Sequence, residues 1–218
     1  MKSKIFAIGD IHGCAAKLSL LLKRLPFDPA RDTLVFLGDY LDRGPQVKEA
    51  LEQICRLRRE GVHIVPLMGN HEYLLLEYHK TGDQALLPYL RGLGLGNTLE
   101  SYGGASLAQL TSLAFLPPEH RAFLDSLLPY WETEEYIFVH AGLRHDQPLA
   151  EQDISDLCEI REPFLNAEID YGKQVIFGHS SFATPLVTPY RIGIDTGAVY
   201  GNLLTAVELP GLRFYHAA

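Results

Sequence analysis

Five short apolar runs in this 218-residue chain each end on a side chain able to bind metal, and that recurrence restricts the available folds most. Residues 4–8 lead to Gly9-Asp10-Ile11-His12-Gly13, and residues 33–37 to Gly38-Asp39-Tyr40-Leu41-Asp42-Arg43-Gly44. Residues 63–68 lead to Gly69-Asn70-His71-Glu72, residues 136–139 to His140-Ala141-Gly142, and residues 174–177 to Gly178-His179-Ser180. Short runs rich in Ile, Val and Phe and bounded by glycine or polar residues read as buried strands.

Helical patterns separate the early strands. Residues 15–25 place Leu18, Leu21, Leu22 and Leu25 on one face. Residues 45–60 open with Pro45 at a first helical position and carry Val47, Leu51, Ile54 and Leu57 at helical spacing. Strand–helix–strand order through about residue 80 predicts right-handed crossovers and an α/β layered fold. Residues 81–118, punctuated by Gly92, Gly94, Gly96, Gly103 and Gly104, read as short helices and loops over one sheet edge. Residues 118–128 read as a further helix, and residues 192–194, 203–209 and 212–215 as a mostly antiparallel meander. With no repeat and no linker, the expected organisation is a single domain over residues 1–218.

Composition narrows the function classes. A chain that is 47% hydrophobic and 21% charged is an ordinary globular one. Its 27 acidic against 19 basic residues, net −8, argue against a dedicated nucleic-acid binder, which needs a basic surface to release counterions. A small anionic substrate stays compatible, since a locally positive site can sit in a negative protein. Three cysteines without a C-x-x-C pair point to a reducing compartment. No apolar run reaches the ~20 residues of a membrane span, so the expected location is cytoplasmic, with no membrane partner. The oligomeric state is left open.

In an open α/β sheet, ligands bind beyond the carboxyl ends of the strands, so five such ends can converge on one spot. Carboxylate, amide and imidazole donors without thiolate suit manganese first, with iron or zinc as alternatives. Asp10 and His12, two apart, can chelate one ion, while Asn70, His140 and His179 are available for a second. Asp39 is the natural bridge across ions roughly 3.5–4 Å apart. Two dications, Asp10, Asp39 and one bridging hydroxide leave a net charge of about +1, attractive to a phosphoryl dianion. Arg43 adds a planar fork matched to phosphate oxygens. Any one of these clusters alone is a turn, a structural histidine or a solvated ion pair; five at strand ends are poorly explained as independent accidents.

The series Asp10-Ile-His12-Gly, Gly38-Asp39-x-x-Asp42-Arg43-Gly44, Gly69-Asn70-His71-Glu72, His140-Ala-Gly142 and Gly178-His179 resembles the phosphoprotein phosphatase family of the calcineurin-like metallophosphoesterases. The compact size and His140-Ala-Gly142, in place of His-Gly-Gly, resemble its bacterial and phage branch, which includes Ser/Thr/Tyr phosphatases and symmetrical diadenosine tetraphosphatases. The tail from Asp195-Thr-Gly-Ala-Val-Tyr also resembles the bacterial members. The resemblance implies a two-sheet β-sandwich flanked by helices, with a dinuclear metal site at the C-terminal ends of the strands. It implies that Asp10, His12 and Asp39 hold one metal, and that Asp39, Asn70, His140 and His179 hold the other. A metal-bridging hydroxide would attack phosphorus in line, Arg43 and Asn70 would bind the phosphate, and His71 would protonate the departing alkoxide. Asp42, as a neighbouring carboxylate, would keep His71 in its charged, proton-donating form.

A second phosphate-binding arginine is expected from Arg161 in Leu157-Cys158-Glu159-Ile160-Arg161, where Glu159 replaces the aromatic residue often found in that branch. The leading expectation is a metal-dependent phosphomonoesterase acting on phosphoserine or phosphothreonine in proteins. The alternative is symmetrical hydrolysis of bis(5'-nucleosyl) tetraphosphates, and a third reading is a metal-binding scaffold without turnover. The phosphoprotein or nucleotide is the expected partner. Gly92-Leu-Gly94-Leu-Gly96 lacks the last glycine and the preceding strand of a dinucleotide loop. Ser106, in a near miss to a nucleophile elbow, reads as a helix-start residue. His63, His79, His120, His145 and His216 read as structural or solvated.

Overall fold

Apolar runs buried on both faces require two layers of cover, and the computed structural model, which describes residues 3–166 and 168–218, supplies them. In chain order the first elements are β1 (Ile5–Ile8), α1 (Ala15–Arg24), β2 (Thr33–Phe36), α2 (Val47–Arg59), β3 (His63–Pro66) and α3 (Asn70–Thr81). Then come α4 (Leu87–Leu93), α5 (Leu95–Ser101), α6 (Pro118–Asp125), β4 (Tyr130–Glu132), β5 (Tyr136–Val139) and α7 (Ile154–Glu159). The chain ends with β6 (Gln174–Phe177), β7 (Leu186–Val187), β8 (Arg191–Gly193), β9 (Leu204–Leu209) and β10 (Arg213–Ala217). The strands form two mixed five-stranded sheets, ordered β10-β9-β1-β2-β3 and β4-β5-β6-β8-β7. Parallel pairs β1–β2, β2–β3, β5–β6 and β6–β8 make the centres, with antiparallel strands at the edges.

The two-residue side-chain period sorts each strand between layers. Ala7, Val35 and Leu37 of the first sheet meet Phe138, Ile176 and Ile192 of the second in the inter-sheet core. The residues between them, Phe6, Ile8, Leu34 and Phe36, pack outward against α1 and α2. On the far side Ile137, Val139, Val175 and Phe177 turn toward Leu157, Ile160 and Phe164 around α7. Helices therefore flank a sandwich, as the family resemblance implied. No helix is long and apolar enough to cross a membrane.

Four expectations change in detail. Pro45 is not in α2: the helix starts at Val47, because Gly44 N–H bonds Asp42 O (2.7 Å) and Gln46 N–H bonds Gly13 O (3.1 Å), tying this stretch to the Asp10 loop. The C-terminal strands are not one meander. β8 pairs parallel with β6, whereas β9 and β10 form a hairpin against β1 in the other sheet. The segment expected over a sheet edge packs instead on α2 and α3, where Leu90, Leu95, Leu99 and Leu110 complete the helical layer. α6 stops at Asp125 because Leu128 turns extended and bonds to the end of β3: its N–H reaches Pro66 O (3.0 Å) and its carbonyl takes Met68 N–H (2.8 Å). Ser106 does open a short 3-10 turn, its N–H bonded to Gln109 Oε1 at 2.9 Å.

Phe138, fully buried between the sheets and stacked on Trp131 with ring centroids 5.2 Å apart, tests the inter-sheet core. Phe138→Ala is expected to destabilise the protein by about 3–5 kcal/mol, read as a lower urea midpoint at unchanged slope.

Candidate metal and phosphate site

The carboxyl ends of β1, β2 and β3 in one sheet and of β5 and β6 in the other open onto one crevice. Five non-glycine residues with left-handed backbone lie there: His12 (φ 42°), Asp39 (52°), Asp42 (65°), Arg43 (63°) and His179 (59°). Such conformations persist only where the surroundings over-determine them. Gly38, at φ 108°, lets the β2 turn approach closely: a Cβ there would lie 2.6 Å from Gly69 N and 2.9 Å from His140 Nδ1.

Asp39 is the centre of the cluster. Its Oδ2 lies 3.2 Å from His12 Nε2 and 3.8 Å from His71 Nε2, and its Oδ1 lies 3.4 Å from His140 Nε2. His12 and His140 each turn Nδ1 onto a backbone carbonyl, Leu41 O and Leu37 O, both at 2.8 Å. Those bonds assign the N–H to Nδ1 and leave Nε2 as the inward donor atom, the arrangement a metal-binding imidazole needs. Asn70 Oδ1 lies 3.3 Å from His140 Nε2 and 3.1 Å from His179 Nδ1. Two groups of donor atoms result, each with all members within 4.8 Å: His12, Asp39 and His71, and Asp39, His140 and His179.

Asp10, expected beside His12, belongs to neither group. Both its oxygens accept the His179 backbone N–H, at 3.2 and 3.1 Å. Burial, then Asp195 and Asp39, push its carboxyl well above the ordinary range. Asp39 goes the other way: burial opposes its charge, but His140, His71 and His12 outweigh that and hold it well below the usual value. Burial lowers His140, and burial with His140 nearby brings His179 down to about 3. His12 is raised, because Asp39 outweighs the effects of burial and of Arg43. Buried oxygen and nitrogen donors converging on two points, with two imidazoles held neutral, fit divalent cations.

The expected proton donor and phosphate ligands are also brought together. His71 Nδ1 meets Asp42 Oδ2 at 2.7 Å, while its Nε2 is buried with no hydrogen-bond partner among the described residues. Arg43 places a guanidinium nitrogen 3.0 Å from His12 Nε2 and lies over the Tyr200 ring at 5.5 Å. Arg161 reaches the opposite side, donating to Ser180 Oγ (2.9 Å) and His179 O (3.4 Å). Glu159, two residues before Arg161, is exposed.

Two residues gain roles that sequence reasoning did not give them. Glu72 accepts the backbone N–H groups of Asp39 (2.9 Å), Tyr40 (2.9 Å), Leu41 (3.0 Å) and Gly69 (3.2 Å). Burial and Asp39 push its carboxyl up to about 8. Its place in the Gly69-Asn70-His71-Glu72 motif was the available signal. Thr98, without any motif, bonds Asp42 from helix α5. The five remaining histidines lie outside the cluster; His63, His79, His120 and His216 each bond a neighbouring residue and His145 is exposed.

Comparison with known proteins agrees with this geometry. The family model of calcineurin-like phosphoesterases matches residues 3–181. A bis(5'-nucleosyl)-tetraphosphatase of the asymmetrical type from a Geobacillus species is 29% identical, over 96% of this chain and 92% of that protein. A symmetrical bis(5'-nucleosyl)-tetraphosphatase of Paracidovorax citrulli is 46% identical over 94% of this chain and 91% of its own length. Serine/threonine-protein phosphatase 1 of Salmonella typhimurium is 29% identical over 94% and 91%. A crystal structure assigned provisionally as a diadenosine tetraphosphatase superposes with a TM-score of 0.75 at 24% identity, covering all of this chain and 94% of the other.

The protonation pattern makes a prediction. A cation entering the cluster competes with protons on the raised groups His12 and Asp10, not on His140 or His179, which are already neutral near pH 7. Below its pKa each raised group must release a proton, so Mn²⁺ affinity is expected to fall by ~tenfold per pH unit for each proton displaced. Calorimetry between pH 8 and 5.5 in buffers of different ionisation heat checks this, and a pH-independent affinity contradicts it.

Proposed function

The chain belongs to the calcineurin-like phosphoesterase family, whose members are metal-dependent phosphoester hydrolases, and on that premise we propose that it hydrolyses dinucleoside tetraphosphates. The observation carrying the reading is the convergence of His12, Asp39, His71, His140 and His179 on two donor groups flanked by Arg43 and Arg161. The relatives named as tetraphosphatases weigh the substrate toward a dinucleotide and away from the phosphoprotein first expected.

In this reading Asp10, His12 and Asp39 hold one cation, and Asp39, Asn70, His140 and His179 hold the other. Bound cations supply positive charge to the phosphoryl oxygens and lower the pKa of water. The chain's own groups do the rest. Arg43 and Arg161, on the His12 and His179 sides, clamp the phosphate through their planar forks, and Asn70 orients it beside them. His71 carries the proton for the leaving oxygen on Nε2, with Nδ1 held by Asp42. Three cysteines free of disulfides suit a reducing, cytoplasmic setting.

One observation favours a second reading, phosphoserine or phosphothreonine hydrolysis. A tetraphosphate releases a nucleotide phosphate, a weak base that leaves without help, whereas a serine alkoxide needs the proton that His71 and Asp42 are built to give. The Salmonella relative is itself named a protein phosphatase.

Purified protein with Mn²⁺ is expected to split diadenosine tetraphosphate faster than a phosphopeptide panel. Two ADP mark symmetrical cleavage, ATP with AMP asymmetrical cleavage, and no turnover on either class sinks the proposal. His71→Asn is expected to lower kcat on alkyl phosphates by ~10²–10⁴-fold and on the tetraphosphate far less. An equal loss on both removes His71 from the proton-donor role.

A further inference from the structure

Helix α5, in the glycine-punctuated segment that carries no recognisable motif, reaches back to the Asp42-Arg43 turn. Thr98 is fully buried there. Its hydroxyl donates to Asp42 Oδ1 at 2.5 Å and accepts the Asp42 backbone N–H at 2.9 Å. The other carboxylate oxygen, Oδ2, takes His71 Nδ1 at 2.7 Å. One residue earlier in α5, the Asn97 side-chain amide donates to Arg43 O. At the helix C-terminus Ser101 Oγ accepts the Lys48 N–H at 2.8 Å.

Building on the hydrolase reading above, we infer that Thr98 is a positioning residue for the proton donor, completing a buried Thr98–Asp42–His71 chain whose free end is His71 Nε2. The directions of the bonds are determined. A carboxylate can only accept, so the Thr98 hydroxyl must donate to Oδ1, and its oxygen is then left to accept the Asp42 N–H. With both ends of the Asp42 side chain held, the carboxylate plane is fixed, and with it the His71 ring.

The backbone argues the same way. Asp42 and Arg43 both lie in the left-handed region, at φ 65° and 63°, which non-glycine residues hold only under external restraint. Thr98 and Asn97 supply that restraint from an element 56 residues away in sequence from Asp42. Without the hydroxyl, the Asp42 N–H and Oδ1 would both be left buried without this partner, and the carboxylate would be free to rotate away from His71.

The test uses the intact chain with Mn²⁺ and two aryl esters, phenyl phosphate and 2,4-dinitrophenyl phosphate, whose leaving groups need a proton strongly and hardly at all. Thr98→Val is expected to lower kcat on phenyl phosphate by about ten- to a hundredfold, the range for lost supporting contacts, with little loss on the dinitrophenyl ester and an unchanged KM. Thr98→Ser, which keeps the hydroxyl, is expected to restore kcat to within about threefold of the parent. The inference is overturned by an equal loss on both esters, by undiminished turnover in Thr98→Val, or by failure of Thr98→Ser to rescue. It is equally overturned if melting curves show both variants unfolded, which makes Thr98 a fold residue only. A parent enzyme inactive on both esters removes this test's premise and the inference with it, whereas a parent that turns them over while the variants lose equally leaves the hydrolase reading standing.

Discussion

The grip of one buried carboxylate on four backbone N–H groups organises this site. Glu72, at the start of α3, takes the amides of Asp39, Tyr40, Leu41 and Gly69 and so joins the turn after β2 to the turn after β3. Asp39 sits within that grip at a left-handed φ of 52°, a conformation costing of order 1–3 kcal/mol unless its neighbours enforce it. Because the turn is held, the Asp39 carboxylate projects between His12, His71 and His140 instead of toward solvent. Gly38 and Gly69 have no side chains because the two turns touch: a Cβ on Gly69 would overlap the Asp39 carboxylate itself.

That geometry creates an electrostatic demand. Asp10, Asp39, Asp42, Glu72 and Asp195 are all buried within or beside the crevice, and buried negative charge is costly unless compensated. The protein's own response is uneven: Asp39 stays ionised beside His12, whose own charge it favours, while burial and like charge push Asp10 and Glu72 upward. Positive charge arriving between His12 and His179 would relieve both groups at once. Basic side chains border the same cluster: Arg43 is half-buried beside His12, and Arg161 is exposed beside Ser180. A protein of net charge −8 thus still gathers local positive charge next to its buried acids.

Much of this arrangement was legible in the sequence. A strand buried on both faces must be continuously apolar, and one that ends at a site must turn at once, so the five strand ends with Asp10, Asp39, Asn70, His140 and His179 are visible in the sequence itself. What was hidden has physical reasons. Both sheets bury both faces, so alternation could not tell that β8 joins β6 while β9 crosses to β1. A spacing of two does not tell how Asp10 is held in the absence of a cation: both its oxygens accept the backbone N–H of His179, 169 residues away in sequence. Pro45 looked like a helix start because the competing bonds, Gln46 to Gly13 and Gly44 to Asp42, involve backbone alone. Thr98 was invisible for the plainest reason: its partner lies in another loop and its own neighbours are unremarkable.

In the proposed reading, substrate choice falls to groups beyond the cations. Relatives that cover more than nine-tenths of this chain include two named as tetraphosphatases and one named as a protein phosphatase, so membership of the family does not by itself fix the leaving group. Charge placed on the phosphoryl oxygens helps an anhydride and an ester alike, while a proton given to the leaving oxygen helps chiefly the ester. In the proposed reading the groups that would tell a nucleotide from a peptide are those beyond the phosphate: the Arg43 guanidinium with the exposed Tyr200 ring beside it, and Arg161 bonded to Ser180. In that reading the exposed Tyr200 ring beside Arg43 is a stacking surface for a nucleobase, a feature that a dinucleotide would use and a phosphopeptide would not need.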